Sequence, residues 1–157
     1  MDHLFTPWRR DYVQSTKIPG CIFCTVLDGT DKEGLIIYRG QLAYVILNRY
    51  PYTNGHLMAV PYQHVESLEM LDAPTRAEMI ELVSQSIHVL RTVYQPQGFN
   101  LGGNIGQAAG AGVTDHVHLH VLPRWTGDTN FMTAVGGTRI LPETVQDSWE
   151  RIQKGWK

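Results

Sequence analysis

No stretch of this chain is apolar for long enough to cross a bilayer, and the first twenty residues lack the apolar run of a secretory signal. Lys/Arg clusters are also missing. The net charge is −2 with histidines neutral, which leaves no electrostatic footprint for nucleic acid. A small anionic ligand stays open, because a local pocket can be positive on a near-neutral protein. These absences make a soluble cytoplasmic protein, with neither a nucleic-acid nor a membrane partner, the expectation. Repeats, low-complexity tracts and linkers are absent too, so the 157 residues read as one domain. Within it, residues 1–20 form an irregular arm, 21–130 the core and 131–157 a C-terminal extension. At 43% hydrophobic and 18% charged residues, the chain can bury a core and carries no signature of disorder.

Cysteine is scarce: Cys21 and Cys24, in the order Cys-Ile-Phe-Cys, are the two in the chain. Such a pair is compatible with a redox couple, half of a zinc site or two inert thiols. A redox couple of the thioredoxin kind would lie between a strand and a long helix. Here Pro19-Gly20 precedes the pair and Gly29 to Gly34 soon follows, so a metal knuckle is favoured if two more ligands are found. Downstream, Leu35–Tyr38 and Leu42–Leu47 predict a hairpin across Arg39-Gly40-Gln41, and Pro51–Gly55 a turn. A third strand is expected over His56–Val60. Thr75-Arg-Ala-Glu78 has the form of a capping box. The recurrence of Met79, Val83, Ile87, Leu90 and Tyr94 then predicts a helix of about five turns. Strands are expected over Phe99–Ile105 and His116–Leu122, with a short helix between Pro142 and Trp156 and another around Trp8 to Val13. Neighbouring strand pairs with one long helix point to an α+β fold on an antiparallel sheet.

The strongest local signal is His116-Val-His118-Leu-His120-Val-Leu122. On a strand, alternate side chains share a face about 6.5–7 Å apart, so three imidazoles project together while Val117, Leu119 and Val121 pack inward. A merely solvated face would normally mix Thr, Lys and Glu. A dinuclear metallohydrolase would want an aspartate where Val121 stands. A cupin would want a glutamate at Leu122 or Pro123 and a further histidine after His120, and none is present. Nucleophilic chemistry remains: a neutral imidazole both attacks phosphorus and leaves well, and a neighbouring histidine can donate to the leaving oxygen. Just upstream, Leu101 to Gly112 is almost devoid of large side chains. Its backbone N–H groups can approach a phosphate closely, as an anion-binding nest.

His-φ-His-φ-His-φ-φ, with φ apolar, resembles the signature of the histidine-triad superfamily of nucleotide hydrolases and transferases. Asn48-Arg-Tyr-Pro-Tyr-Thr-Asn-Gly-His56 and Val60-Pro-Tyr-Gln-His64-Val65 resemble the same family's first half. The likeness runs from Cys21 to about Asn130. Its nearest branches are the fragile-histidine-triad proteins and the bacterial diadenosine-tetraphosphate phosphorylases; His116 to Phe131 and Thr6 to Arg9 look especially like the latter. The resemblance implies a half-barrel with a five-stranded antiparallel sheet, one long helix and a short C-terminal helix, joined into a homodimer. It implies His118 as nucleophile, His120 on the phosphate or leaving oxygen, His56 as a partner orienting the triad, and Asn48 on the ribose. Asn104 and Gln107 would lie near the phosphates, with Gly110 and Gly112 in the phosphate loop. By the same resemblance Cys21, Cys24, His64 and His116 would hold zinc. Two thiolates and two imidazoles make a closed, structural tetrahedron rather than a catalytic site.

One departure stands out. Several relatives carry Gly-Gln-Ser/Thr before the triad, whereas this chain has Gly110-Ala-Gly-Val-Thr-Asp115, so leaving-group donation would fall to backbone N–H groups or Gln107. The expected activity is cleavage of a dinucleoside polyphosphate at its α-phosphate through a nucleotidyl-His118 intermediate, resolved by phosphate or water. The alternatives are nucleoside phosphoramidate hydrolysis and nucleotide binding with little catalysis. Arg124 is a candidate for neutralising phosphate charge, and Trp8 and Trp125 are candidates for stacking on a base. His3 and His88 are expected at the terminus and on the surface.

Overall fold

Residues 20–137 and 141–156 are described by the computed structural model. The expected helix around Trp8, and His3, lie outside these described residues. The chain begins with a helical turn, α1 (Ile22–Thr25), then a 3-10 turn at Val26–Asp28 and a second short helix, α2 (Asp31–Gly34). Thr30 caps α2 in a reciprocal box with Glu33. Leu35 closes it in the left-handed conformation, at φ 60°.

Strands β1 (Ile36–Arg39), β2 (Ala43–Leu47) and β3 (Leu57–Pro61) follow as an antiparallel meander. After α3 (Ala73–Tyr94) come β4 (Gly98–Gly102) and β5 (Leu119–Arg124), giving a five-stranded antiparallel sheet in the order β1-β2-β3-β5-β4. The fold is therefore α+β, as the pattern predicted. Every residue of β2 and β3 is buried, rather than every second one. Both faces of these central strands are covered: α3 packs on β2, β3 and β5, and the segment from Cys21 to Leu27 packs into the same apolar cluster.

Three elements differ from expectation for identifiable reasons. The capping box at Thr75–Glu78 does not form. α3 starts earlier, because the Asp72 carboxylate accepts the Thr75 N–H at 2.8 Å and a proline sits in the first turn. Glu78 is thereby freed to accept the N–H groups of Gln41 (2.7 Å), Leu42 (3.0 Å) and Ala43 (3.3 Å), tying the β1–β2 turn to the helix. The fourth strand stops at Gly102 instead of reaching Ile105, since Gly103 turns in against the triad. A Cβ on Gly103 would lie 2.8 Å from the His118 carbonyl oxygen. The fifth strand begins at Leu119 rather than His116. Its register pairs Ala59 with Leu119, so Pro61, with no N–H to give, would meet Val117. Val117 instead donates to the Val65 carbonyl at 2.7 Å.

The C-terminal part adds α4 (Phe131–Ala134) and α5 (Val145–Gly155). α5 lies on α3 and β1 and buries Ile152 completely. That burial contributes about 1.5–3 kcal/mol and merges α5 with the core of the sheet. Trp149 Nε1 donates to the Ile36 carbonyl at 2.9 Å, and Gln153 Nε2 to the Ile37 carbonyl at 2.7 Å, so two side chains of α5 occupy carbonyls along β1. Among the described residues no helix is long and apolar enough to cross a membrane.

Candidate active site and metal cage

A cleft of about 690 Å³ opens on the sheet face opposite α3, within the range of small-molecule sites. Its inner wall is apolar, from Ile22, Phe23, Val26, Leu35, Ile46 and Leu47. Its polar end carries Asn48, Asn104, Gly112, His118 and His120. Across the sheet, His120 has Met58 on one side and Gly102 on the other, so no side chain crowds the imidazole from β4.

The hydrogen bonds around the histidines fix their protons by elimination. The Tyr52 N–H, which can only donate, points at His56 Nδ1 at 3.2 Å, so the His56 proton sits on Nε2. That Nε2–H donates to His120 Nδ1 at 2.8 Å, which puts the His120 proton on its own Nε2. His118 is set the other way: its Nδ1–H donates to the His116 carbonyl at 2.9 Å, leaving Nε2 with a bare lone pair. The rings of His118 and His120 stand edge to face, 4.8 Å apart. One lone pair and one N–H, both on Nε2 atoms, thus stand side by side in the cleft.

Burial keeps these rings neutral. Desolvation pushes His56 down to about 3, helped by positive-charge repulsion from His120 and His118. It pushes His120 down to about 4, with His118 adding to the effect. His118 is lowered by desolvation as well, although its bond to the His116 carbonyl opposes this. Asn48 is anchored by accepting the Tyr50 N–H at 2.9 Å, and its amide nitrogen lies 3.3 Å from His56 Nδ1. It therefore lines the cleft and buttresses His56 together.

Beside the triad lies a second constellation. Cys21, Cys24, His64 and His116 bring their ligand atoms within 4.8 Å of one another. Cys21 Sγ is 3.3 Å and Cys24 Sγ 3.7 Å from His116 Nδ1, and Cys24 Sγ is 3.5 Å from His64 Nδ1. A tetrahedral zinc ion, with sulfur at about 2.3 Å and nitrogen at about 2.0–2.1 Å, separates its ligands by roughly 3.3–3.8 Å, so the residues present fit the ion. The outer partners agree. His116 Nε2–H donates to the Pro61 carbonyl at 2.9 Å and His64 Nε2 faces Asp115 at 3.7 Å, so each Nδ1 is free to ligate. Burial and the adjoining Cys21 sulfur push the Cys24 thiol up, an arrangement that a cation between the sulfurs relieves.

Other singled-out residues fall elsewhere. Gln107 and Gly110 are exposed and do not line the cleft, whereas Asn104 and Gly112 do. Arg124 reaches the cleft but is held by Asp128 through bonds of 2.6 and 2.8 Å, and by Asn100 at 2.6 Å. Its charge is already paired. Trp125 donates to the Tyr94 carbonyl at 3.3 Å and packs on that ring, away from the cleft lining. His88 is exposed, and Trp8 lies outside the described residues. Sequence reasoning missed Phe23, whose buried ring lies 4.8 Å from that of His118, and Tyr52, tilted over His56 at 4.8 Å. For Phe23 a signal existed: a large aromatic between two cysteines has no reason to be there unless the knuckle packs on something.

An α+β sheet whose cleft presents a bare imidazole nitrogen beside an imidazole N–H is equipped for nucleophilic chemistry by histidine. The chain belongs to the HIT family, whose domain model matches residues 30–127, and it is an enzyme of that group of nucleotide hydrolases and transferases. It is 38% identical to the AP-4-A phosphorylase of Mycobacterium tuberculosis, over 99% of this chain and 85% of that protein. Among solved structures it resembles a Zn-bound histidine triad family protein from Mycobacterium smegmatis. There the TM-score is 0.69 at 27% identity, covering 87% of this chain and 93% of that one. A hypothetical histidine triad nucleotide-binding protein from Sulfolobus tokodaii gives 0.70 at 26%, over 87% and 91%.

Proposed function

We propose that this chain cleaves dinucleoside polyphosphates, diadenosine tetraphosphate foremost, at the α-phosphate. The observation that carries the reading is the opposed proton placement on His118 and His120. His118 Nε2 attacks the α-phosphorus, a P–N bond forms, and the P–O bond to the departing nucleoside triphosphate breaks as His120 Nε2–H stabilises the leaving oxygen. Phosphate then displaces the nucleotidyl group from His118 to give ADP, or water does so to give AMP. His56 holds His120 as the tautomer that donates from Nε2, and the His116 carbonyl holds His118 as the opposite tautomer, whose bare Nε2 attacks. The apolar wall receives the base, Asn48 the ribose, and Asn104 with the Gly112 backbone the phosphates. The identity with a protein named AP-4-A phosphorylase supports this substrate class. Cys21, Cys24, His64 and His116 would hold zinc, which supplies a structural clamp and no open coordination position. Two chains would pair through the edge strand β4, where Leu101 is exposed.

Incubating diadenosine tetraphosphate with the protein, with and without inorganic phosphate, tests the reading. ADP plus ATP formed only with phosphate establishes phosphorolysis; AMP plus ATP in either buffer establishes hydrolysis. His118→Gly is expected to lose turnover by about 10³-fold or more while still binding AMP. Retained turnover sinks the covalent route. Should the unaltered protein yield no product, nucleoside phosphoramidates become the next substrates.

A further inference from the structure

The residues of α1 and its N-cap serve two sites at once. Cys21 and Cys24 face His116 and His64, whereas Ile22, Phe23 and Val26, interleaved with them, line the apolar wall of the cleft. Phe23 is the hinge between the two. Its ring packs 5.4 Å from His116, a member of the cage, and 4.8 Å from His118, the proposed nucleophile. Among the described residues, few polar contacts tie this segment to the fold. The backbone N–H groups of Cys24 and Thr25 donate back to the Cys21 carbonyl within the turn itself, and the backbone is reached from the sheet by Tyr44 Oη–H, which donates to the Phe23 carbonyl at 2.7 Å. Without an ion between the sulfurs, this short helix is held among the described residues by that bond, by weak thiol–imidazole contacts to His116 and His64, and by the packing of its apolar residues. A helical segment of this length has no stability of its own.

We infer that metal occupancy of the cage and nucleotide occupancy of the cleft are thermodynamically coupled, with Phe23 as the positioning residue that carries the coupling. The inference rests on the zinc and nucleotide readings above and deepens both. A bound ion fixes Cys21 and Cys24, and with them the base-binding wall and the flank of His118. A bound nucleotide presses on the same wall and restrains the cysteines. Because coupling between binding equilibria is reciprocal, each ligand tightens the other by the same factor, typically about 5–150-fold.

The test uses the full chain and two probes, zinc and AMP. AMP affinity is measured by calorimetry on zinc-loaded and chelator-stripped protein, and zinc affinity by equilibrium competition with a chromophoric chelator, with and without saturating AMP. The expected result is AMP binding at least about fivefold tighter with zinc, and zinc binding tighter by the same factor with AMP. In Phe23→Ala the cage residues remain, so zinc should still bind at one equivalent while the coupling factor falls towards unity. Phe23→Leu, which keeps most of the apolar volume, should fall between. Should Phe23→Ala fail to fold, Tyr44→Phe tests the same link from the other side. Losing the bond to the Phe23 carbonyl should raise the dependence of AMP binding on zinc.

Equal AMP affinity with and without zinc overturns the coupling, as does a factor that survives unchanged in the Phe23 variants. Metal content well below one equivalent after reconstitution overturns the zinc reading, and this inference with it. AMP bound by neither form overturns the nucleotide reading instead, so the three failures are distinguishable.

Discussion

Lowering the pH from about 7.5 to about 5 should narrow the stability gap between this protein and its His56→Leu variant by about 2 kcal/mol. His56 is fully buried, and desolvation with like-charge repulsion from His120 and His118 pushes it down to about 3. In the unfolded chain the same imidazole titrates near 6.5. Its folded value is depressed, so between about 6.5 and about 3 the unfolded state binds the proton and the folded state does not. Stability therefore falls as the pH drops through that window. At pH 5 the unfolded imidazole is about 97% protonated while folded His56 remains neutral. Integration from pH 7.5 then gives about 2 kcal/mol for this residue alone. At neutral pH the variant leaves the Tyr52 N–H and His120 Nδ1 without their partner, which costs about 1–3 kcal/mol. At pH 5 most of that deficit should vanish, because the leucine takes no proton in either state. Urea unfolding of both proteins at the two pH values gives the double difference, in which contributions shared by both chains cancel. A gap that stays constant or widens on acidification would refute the neutral, buried assignment of His56, and the proton placement derived from it.

Three further outcomes follow from the geometry. Gly103→Ala places a Cβ 2.8 Å from the His118 carbonyl oxygen, so it should cost about 1–3 kcal/mol in stability and lower kcat more than it raises KM for diadenosine tetraphosphate. An unchanged kcat would show that the loop approaches the triad without constraining it. Glu78→Ala leaves the N–H groups of Gln41, Leu42 and Ala43 without their shared acceptor and should lower stability by about 1–3 kcal/mol in denaturant melts, with kcat unaltered. Cys24→Ser should abolish the gain in thermal stability that zinc gives. With free zinc at about 100 times its dissociation constant that gain is about 2.7 kcal/mol, or about 5–11 °C in a domain of this size. A zinc response that persists in calorimetric melts of this variant would remove Cys24 from the cage.

What the sequence disclosed, and what it withheld, follows the range of the interactions. The alternation of His116, His118 and His120 with apolar residues is a local pattern, and the sheet and long helix are carried by equally local periodicities. The cage could be read through family resemblance even though Cys24 and His116 stand 92 positions apart. Hidden features depend on who meets whom. Glu78 looks like a local capping residue until the β1–β2 turn arrives to compete for its carboxylate, 35 to 37 positions away. Arg124 looks like a free cation for phosphate until the turn after β5 brings Asp128 against it. The glycine-rich stretch was legible as a loop. Which of its residues turn towards the cleft was not, because Gly residues leave no side-chain pattern to read.

The contacts from α5 to β1 have a consequence for how far such a sheet can extend. Trp149 and Gln153 occupy the Ile36 and Ile37 carbonyls that a visiting strand would need, so that margin offers an incoming backbone little to grip. The opposite margin, β4, has no helix laid along it among the described contacts. A sheet that can be prolonged from one side accepts a single neighbour. When that neighbour is an identical chain meeting it strand to strand about a twofold axis, the junction uses up the free margin of both. Growth would then terminate at a pair, with the C-terminal helix α5 as the stop on the other margin.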